Sequence, residues 1–127
     1  MPPDDPVKEM YELTRHAFAC FGMDTTLPKE LGPMLAAAGF VKIQCELKKV
    51  PIGTWARDST LRVIGLYQKE AVLQVMPALA TRPFRALGLS EAQSQMTLAM
   101  AREGMNNTNV HRYFPYYFWF AQKPETL

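Results

Sequence analysis

Few side chains in this sequence can do chemistry, and they gather in three places. His111 precedes an aromatic run that includes Tyr113, Tyr116 and Tyr117. An imidazole beside phenols can take or give a proton near neutral pH, so His111 and Tyr116 are candidate acid–base groups and Tyr113 a candidate substrate contact. Trp55 and Arg57 follow the turn Pro51-Ile-Gly53. The indole offers an apolar wall, and the guanidinium can bind a carboxylate or enolate oxygen, which makes Arg57 a third catalytic candidate. On the first predicted helix, Tyr11 and His16 lie with Cys20 where they could line a cavity, and Tyr67 lies on a later helix. Each has a structural alternative. His111 can bond to its loop, His16 can sit partly exposed, Trp55 can pack the turn, and Tyr67 can belong to the core.

The elements that must position these residues follow from periodicity and punctuation. Asp5-Pro6 reads as a helix cap followed by proline at the first helical position, with Val7, Met10, Leu13, Ala17 and Phe21 at helical spacing up to Gly22. Thr26-Leu-Pro28 opens a second helix, with Leu31, Met34, Leu35 and Ala38 on one face and Gly39 as its stop. From Phe40 to Val50 the period changes to two, with Val41, Ile43, Cys45 and Leu47 alternating with polar residues, as in a half-buried strand. Glu46 and Lys48 share its polar face as a solvated pair.

Asp58-Ser59 caps a long helix expected to stop at Met76, before Pro77. Thr81-Arg-Pro83 begins a short helix closed by Gly88, and Ser90-Glu-Ala-Gln93 is a capping box for another that reaches Met105. Met96, Met100 and Met105 have spacing compatible with one face, as core more readily than pocket. The last strand reaches Gln122 and is aromatic on both faces. Its Pro115 belongs on a free side, at a bulge or near the strand start. Two strands alone make a marginal sheet and leave an edge open.

Composition narrows the function. A chain of 127 residues with 48% hydrophobic residues can bury a core as one domain, 1–127. A net charge of +2, with no basic run, argues against a nucleic-acid partner. No apolar stretch is long enough for a membrane span, and the acidic, proline-rich start lacks a signal-peptide core, so a cytoplasmic location is expected. Two cysteines and two histidines, far apart, form no metal motif, and no Walker loop or serine nucleophile elbow is present.

Four motifs in a fixed order carry a resemblance. Ala38-Gly-Phe40, Pro51-Ile-Gly-Thr-Trp55, Ile64-Gly-Leu-Tyr67 and the aromatic strand from His111 to Lys123-Pro124 together resemble the C-terminal half of fungal LaeA-like S-adenosylmethionine methyltransferases. The resemblance runs from about Val7 to Pro124. It implies an α+β fold corresponding to a truncated Rossmann-like methyltransferase half. Two long antiparallel strands and about five helices would then be completed by oligomerisation. It also places the His111 region near the substrate end of the sheet. The family's glycine-rich loop after a first strand holds the cofactor. None of the seven glycines here lies in that arrangement, so no cofactor is expected.

The resulting expectation is an enzyme of fungal secondary metabolism that no longer methylates. It would cyclise, rearrange or isomerise an apolar small molecule in a shaped pocket, as a homodimer or higher homo-oligomer. The alternatives are a regulatory or non-catalytic partner subunit of a methyltransferase complex, or a split fragment of a methyltransferase.

Overall fold

The computed structural model describes residues 2–125. Five α-helices and two β-strands follow one another along them: α1 (Pro6–Ala19), α2 (Leu31–Ala37), β1 (Val41–Pro51), α3 (Ser59–Leu79), α4 (Arg82–Ala86), α5 (Glu91–Met105) and β2 (Tyr113–Gln122). β1 and β2 form a two-stranded antiparallel sheet. The chain divides into two compact units, one of residues 1–24 with 50–114 and the other of residues 25–49 with 115–127.

The first unit owes its helices to local signals that the sequence carries openly. Asp5 accepts a hydrogen bond from the Lys8 amide at 3.1 Å and starts α1. Asp58 accepts from the Leu61 amide at 2.9 Å and starts α3. Ser90 and Gln93 exchange both bonds of a capping box at the head of α5. Each cap satisfies amide groups that the first helical turn leaves without partners. Between the helices lies a fully buried core built on Phe84, Met10, Met76, Leu98 and Val7.

Two expectations need correction here. α3 does not stop before Pro77 but runs through it to Leu79. Proline removes its own amide donor and crowds the carbonyl four residues back, but the buried stripe Val72, Met76 and Leu79 continues past it, so packing holds the last turn in helical form. The methionine set also splits. Met105 is buried, whereas Met96 is 63% and Met100 48% exposed. Residues four apart share a helix face, but five residues turn through about 140°, which carries Met105 to the opposite side.

The second unit holds α2 and most of the sheet. The expected helix after Thr26 begins instead as a 3-10 turn, Leu27–Glu30, and becomes α-helical only at Leu31. Trp119 of β2 fixes that turn. Its Nε1 donates to the Pro28 carbonyl at 2.7 Å, and its ring lies so close to Gly32 that an added methyl would stand 3.0 Å from Cη2. α2 closes at Gly39, where the Phe40 and Gly39 amides donate to Leu35 and Ala36. β1 forms as expected, and Glu46 and Lys48 are an exposed pair 3.0 Å apart. The expected half-burial is not found. Val41 and Leu47 are exposed on β1, as are Tyr116, Phe118 and Phe120 on β2. Lys42 takes a positive φ of 53°, which breaks the alternation at the start of β1. Pro115 is exposed at the third residue of β2, near the strand start.

Candidate functional site

The motif Pro51-Ile-Gly-Thr-Trp55 builds a backbone corner in the first unit. Gly53 takes a φ of +90°, and its amide donates to the Gly65 carbonyl at 2.9 Å. The two glycines press together so closely that a Cβ on Gly65 would overlap the Gly53 carbonyl oxygen. This explains the glycine in Ile64-Gly-Leu-Tyr67: α3 can approach the turn only where it has no side chain. The carbonyl of Arg112 completes the corner by accepting from the Ile52 amide at 2.9 Å and from Trp55 Nε1 at 2.8 Å.

The Arg112 side chain turns the corner into a clasp. Its Nε and Nη2 donate to the two carboxylate oxygens of Asp5 at 3.1 and 2.5 Å. Its Nη1 donates to the carbonyls of Gly104 at 2.6 Å and Asn107 at 3.3 Å. Both charged side chains are almost wholly buried, 2% exposed for arginine and 3% for aspartate. One planar guanidinium therefore joins the head of α1 to the tail of α5. Burial pushes the Asp5 carboxyl up. The Arg112 bonds and the Lys8 amide outweigh it and hold the group below its ordinary range.

The expected site residues are placed as follows. His111 is exposed and stacks on Trp55, with ring centroids 4.5 Å apart and planes 9° from parallel. Tyr11 meets Phe114 edge to face at 4.6 Å. Arg57 is exposed, and its carbonyl accepts from Arg62 Nη2 at 3.1 Å. Tyr113 is 40% exposed and Tyr67 on α3 is 72% exposed. His16 is exposed on α1. Tyr116 belongs to the second unit, where its ring lies 6.3 Å from that of Phe118. Of the eight, the structure brings His111 and Trp55 into direct contact.

A groove between α1 and α5 lies beside the clasp. It has a volume of about 540 Å³ and is lined by Pro6, Glu9, Leu13, Leu89, Ala92, Gln93, Met96, Thr97 and Met100. That volume suits a small organic molecule. None of the eight expected residues lines it, although helical spacing places His16 on the same stripe of α1 as Pro6, Glu9 and Leu13. Pro6 and Met100 also line a smaller depression of about 260 Å³ with Glu103, Gly104 and Asn107. Gly104 and Asn107 are the residues whose carbonyls the Arg112 side chain holds, so the clasp fixes the backbone at this end.

Sequence reasoning missed Arg112, the second role of Asp5, and the groove. The Asp5-Pro6 cap was legible, but its ion-pair partner lies 107 residues away and no local pattern marks it. The i, i+4 pair Met96 and Met100 did point to the groove, but was read as core. Among the described residues, no group of three or more His, Cys, Asp or Glu side chains is placed to hold a metal ion, and no helix is long and apolar enough to cross a membrane.

Comparison with known proteins follows the motifs. The chain is 23% identical over 131 residues to the secondary metabolism regulator LAE1 of Cochliobolus heterostrophus, covering 98% of this chain and 41% of that protein. It is 26% identical over 98 residues to the probable methyltransferase tdiE of Emericella nidulans, covering 76% of this chain and 31% of that one. The chain thus spans less than half the length of these relatives. No family model matches it, and no solved structure matches it significantly. The chain is a distant homologue of fungal LaeA-like, methyltransferase-related proteins.

Proposed function

We propose that this chain is a methyltransferase-like protein of fungal secondary metabolism that holds an apolar small molecule and rearranges it by cyclisation, pericyclic reaction or isomerisation, without a cofactor. The observation that carries this reading is the α1/α5 groove, whose walls are Leu13, Leu89, Met96 and Met100 with a few polar groups among them. Such reactions need a surface that holds a reactive conformer and a group that meets developing charge. The proton-transfer roles expected from sequence for His111, Tyr116 and Arg57 fall outside this groove, whose lining offers Glu9, Gln93 and Thr97 as its polar side chains. Calorimetry with S-adenosylmethionine and S-adenosylhomocysteine tests it. No binding by a stable homo-oligomer is expected, and micromolar binding would replace this reading with methyl transfer.

A second reading has its own support. Ile64, Leu66, Tyr67 and Val75 are exposed on α3, and Phe118 and Phe120 are exposed on β2. Apolar surface of this kind marks an interaction face. A non-catalytic partner subunit of a methyltransferase complex, or one part of a split methyltransferase, would use it. Aggregation of the isolated chain, reversed by a methyltransferase partner, would favour this reading. A monodisperse homo-oligomer favours the first.

A further inference from the structure

We infer that the α1/α5 groove selects apolar molecules carrying a protonated amine. This inference rests on the proposed small-molecule function and specifies its ligand. Among the described residues, Glu9 is the one ionisable side chain lining the groove, and Glu103 the one lining the adjoining depression. Neither carboxylate has an ion-pair or hydrogen-bond partner among the described residues. Among the described residues no Lys, Arg or His side chain lines either depression, so the charged side chains along them are both carboxylates beside an apolar floor.

The capping box of α5 adds a second element of recognition. Gln93 Oε1 accepts from the Ser90 amide at 2.8 Å, and the Gln93 amide donates to Ser90 Oγ at 3.1 Å. An amide oxygen must face that amide donor, so Nε2 is the end left over, and it has no protein partner among the described residues. The bond that starts the helix therefore also fixes a donor at the groove wall. Leu13, Leu89, Met96 and Met100 provide the apolar surface, and the two methionines, unbranched and exposed, can adapt to a ring system. The complementary ligand has a flat apolar body, a charged amine for Glu9 and an acceptor for Gln93 Nε2. A carboxylate of the same size would meet Glu9 as a like charge.

The test is a calorimetric titration of the full chain with two probes that share one ring, 1-naphthylmethylamine and 1-naphthoate. The amine is expected to bind at least about tenfold more tightly, equivalent to about 1.4 kcal/mol. Glu9→Gln, at an exposed position, should bring the two probes to within about twofold while the far-ultraviolet circular dichroism stays unchanged. Equal binding of the two probes by the unmodified chain would overturn the amine preference and leave the apolar site standing. A preference that survives Glu9→Gln would place the anion elsewhere and overturn the assignment. No binding of either probe would overturn both this inference and the small-molecule function beneath it.

Discussion

Arg112 joins parts of the chain that lie far apart in sequence, and its removal should be costly for a definite reason. Arg112→Met leaves the Asp5 carboxylate buried without its counter-ion. The expected loss is about 3–5 kcal/mol in urea unfolding. Adding Asp5→Asn should restore part of it, because the uncompensated charge is then gone. A double variant no more stable than Arg112→Met alone would refute the clasp. The same pair predicts a pH dependence. The folded carboxyl titrates below its ordinary value of 3.8, so its contribution is complete above that value and is lost as pH falls through the lower, folded value. Stability should be insensitive to this group above about pH 5 and should decline below about pH 4, with a shallower decline in Asp5→Asn. Gly65→Ala tests the glycine contact. The added methyl overlaps the Gly53 carbonyl oxygen, and a destabilisation of about 1–3 kcal/mol or more is expected in the same assay. A neutral effect would mean that α3 does not approach the turn this closely.

At the scale of elements, what was legible followed from how local the determinant is. Asp5, Asp58 and Ser90 act on amides within three residues, so their caps could be read directly and occur as read. Ser90→Ala should cost about 1 kcal/mol by removing the acceptor for the Gln93 amide. Thermal unfolding checks this, and an unchanged midpoint would show that packing alone holds the head of α5. The strands were legible by their period and composition, but the burial of their apolar residues was not, because it depends on what covers them. Pro77 was read as a stop because proline chemistry is local, while the burial of Leu79 that carries the helix past it is tertiary. For the candidate site, proximity in sequence suggested that His111 would act with its neighbouring tyrosines. The structure stacks it on Trp55, a contact set by the Pro51–Trp55 turn and the Arg112 carbonyl that sequence proximity did not suggest. The groove was illegible for the same reason: its two walls are helices separated by most of the chain.

For the whole molecule, the arrangement links an ordered set of motifs to the helices that form the groove. The Pro51–Trp55 turn and Gly65 position α3, Arg112 ties α1 to α5, and the groove opens along those two helices. The exposed apolar residues of α3 and β2 predict self-association, seen by light scattering as a multiple of the single-chain mass. A monodisperse monomer at millimolar concentration would contradict the oligomer. The most direct test of the central claim, that the α1/α5 groove is where a small apolar molecule binds, is a chemical-shift titration of the isotope-labelled chain with 1-naphthylmethylamine. Shifts concentrated at Glu9, Leu13, Ala92, Gln93, Met96 and Thr97 are predicted. Shifts centred on Trp55 and His111, or on the strand residues Phe118 and Phe120, would contradict it.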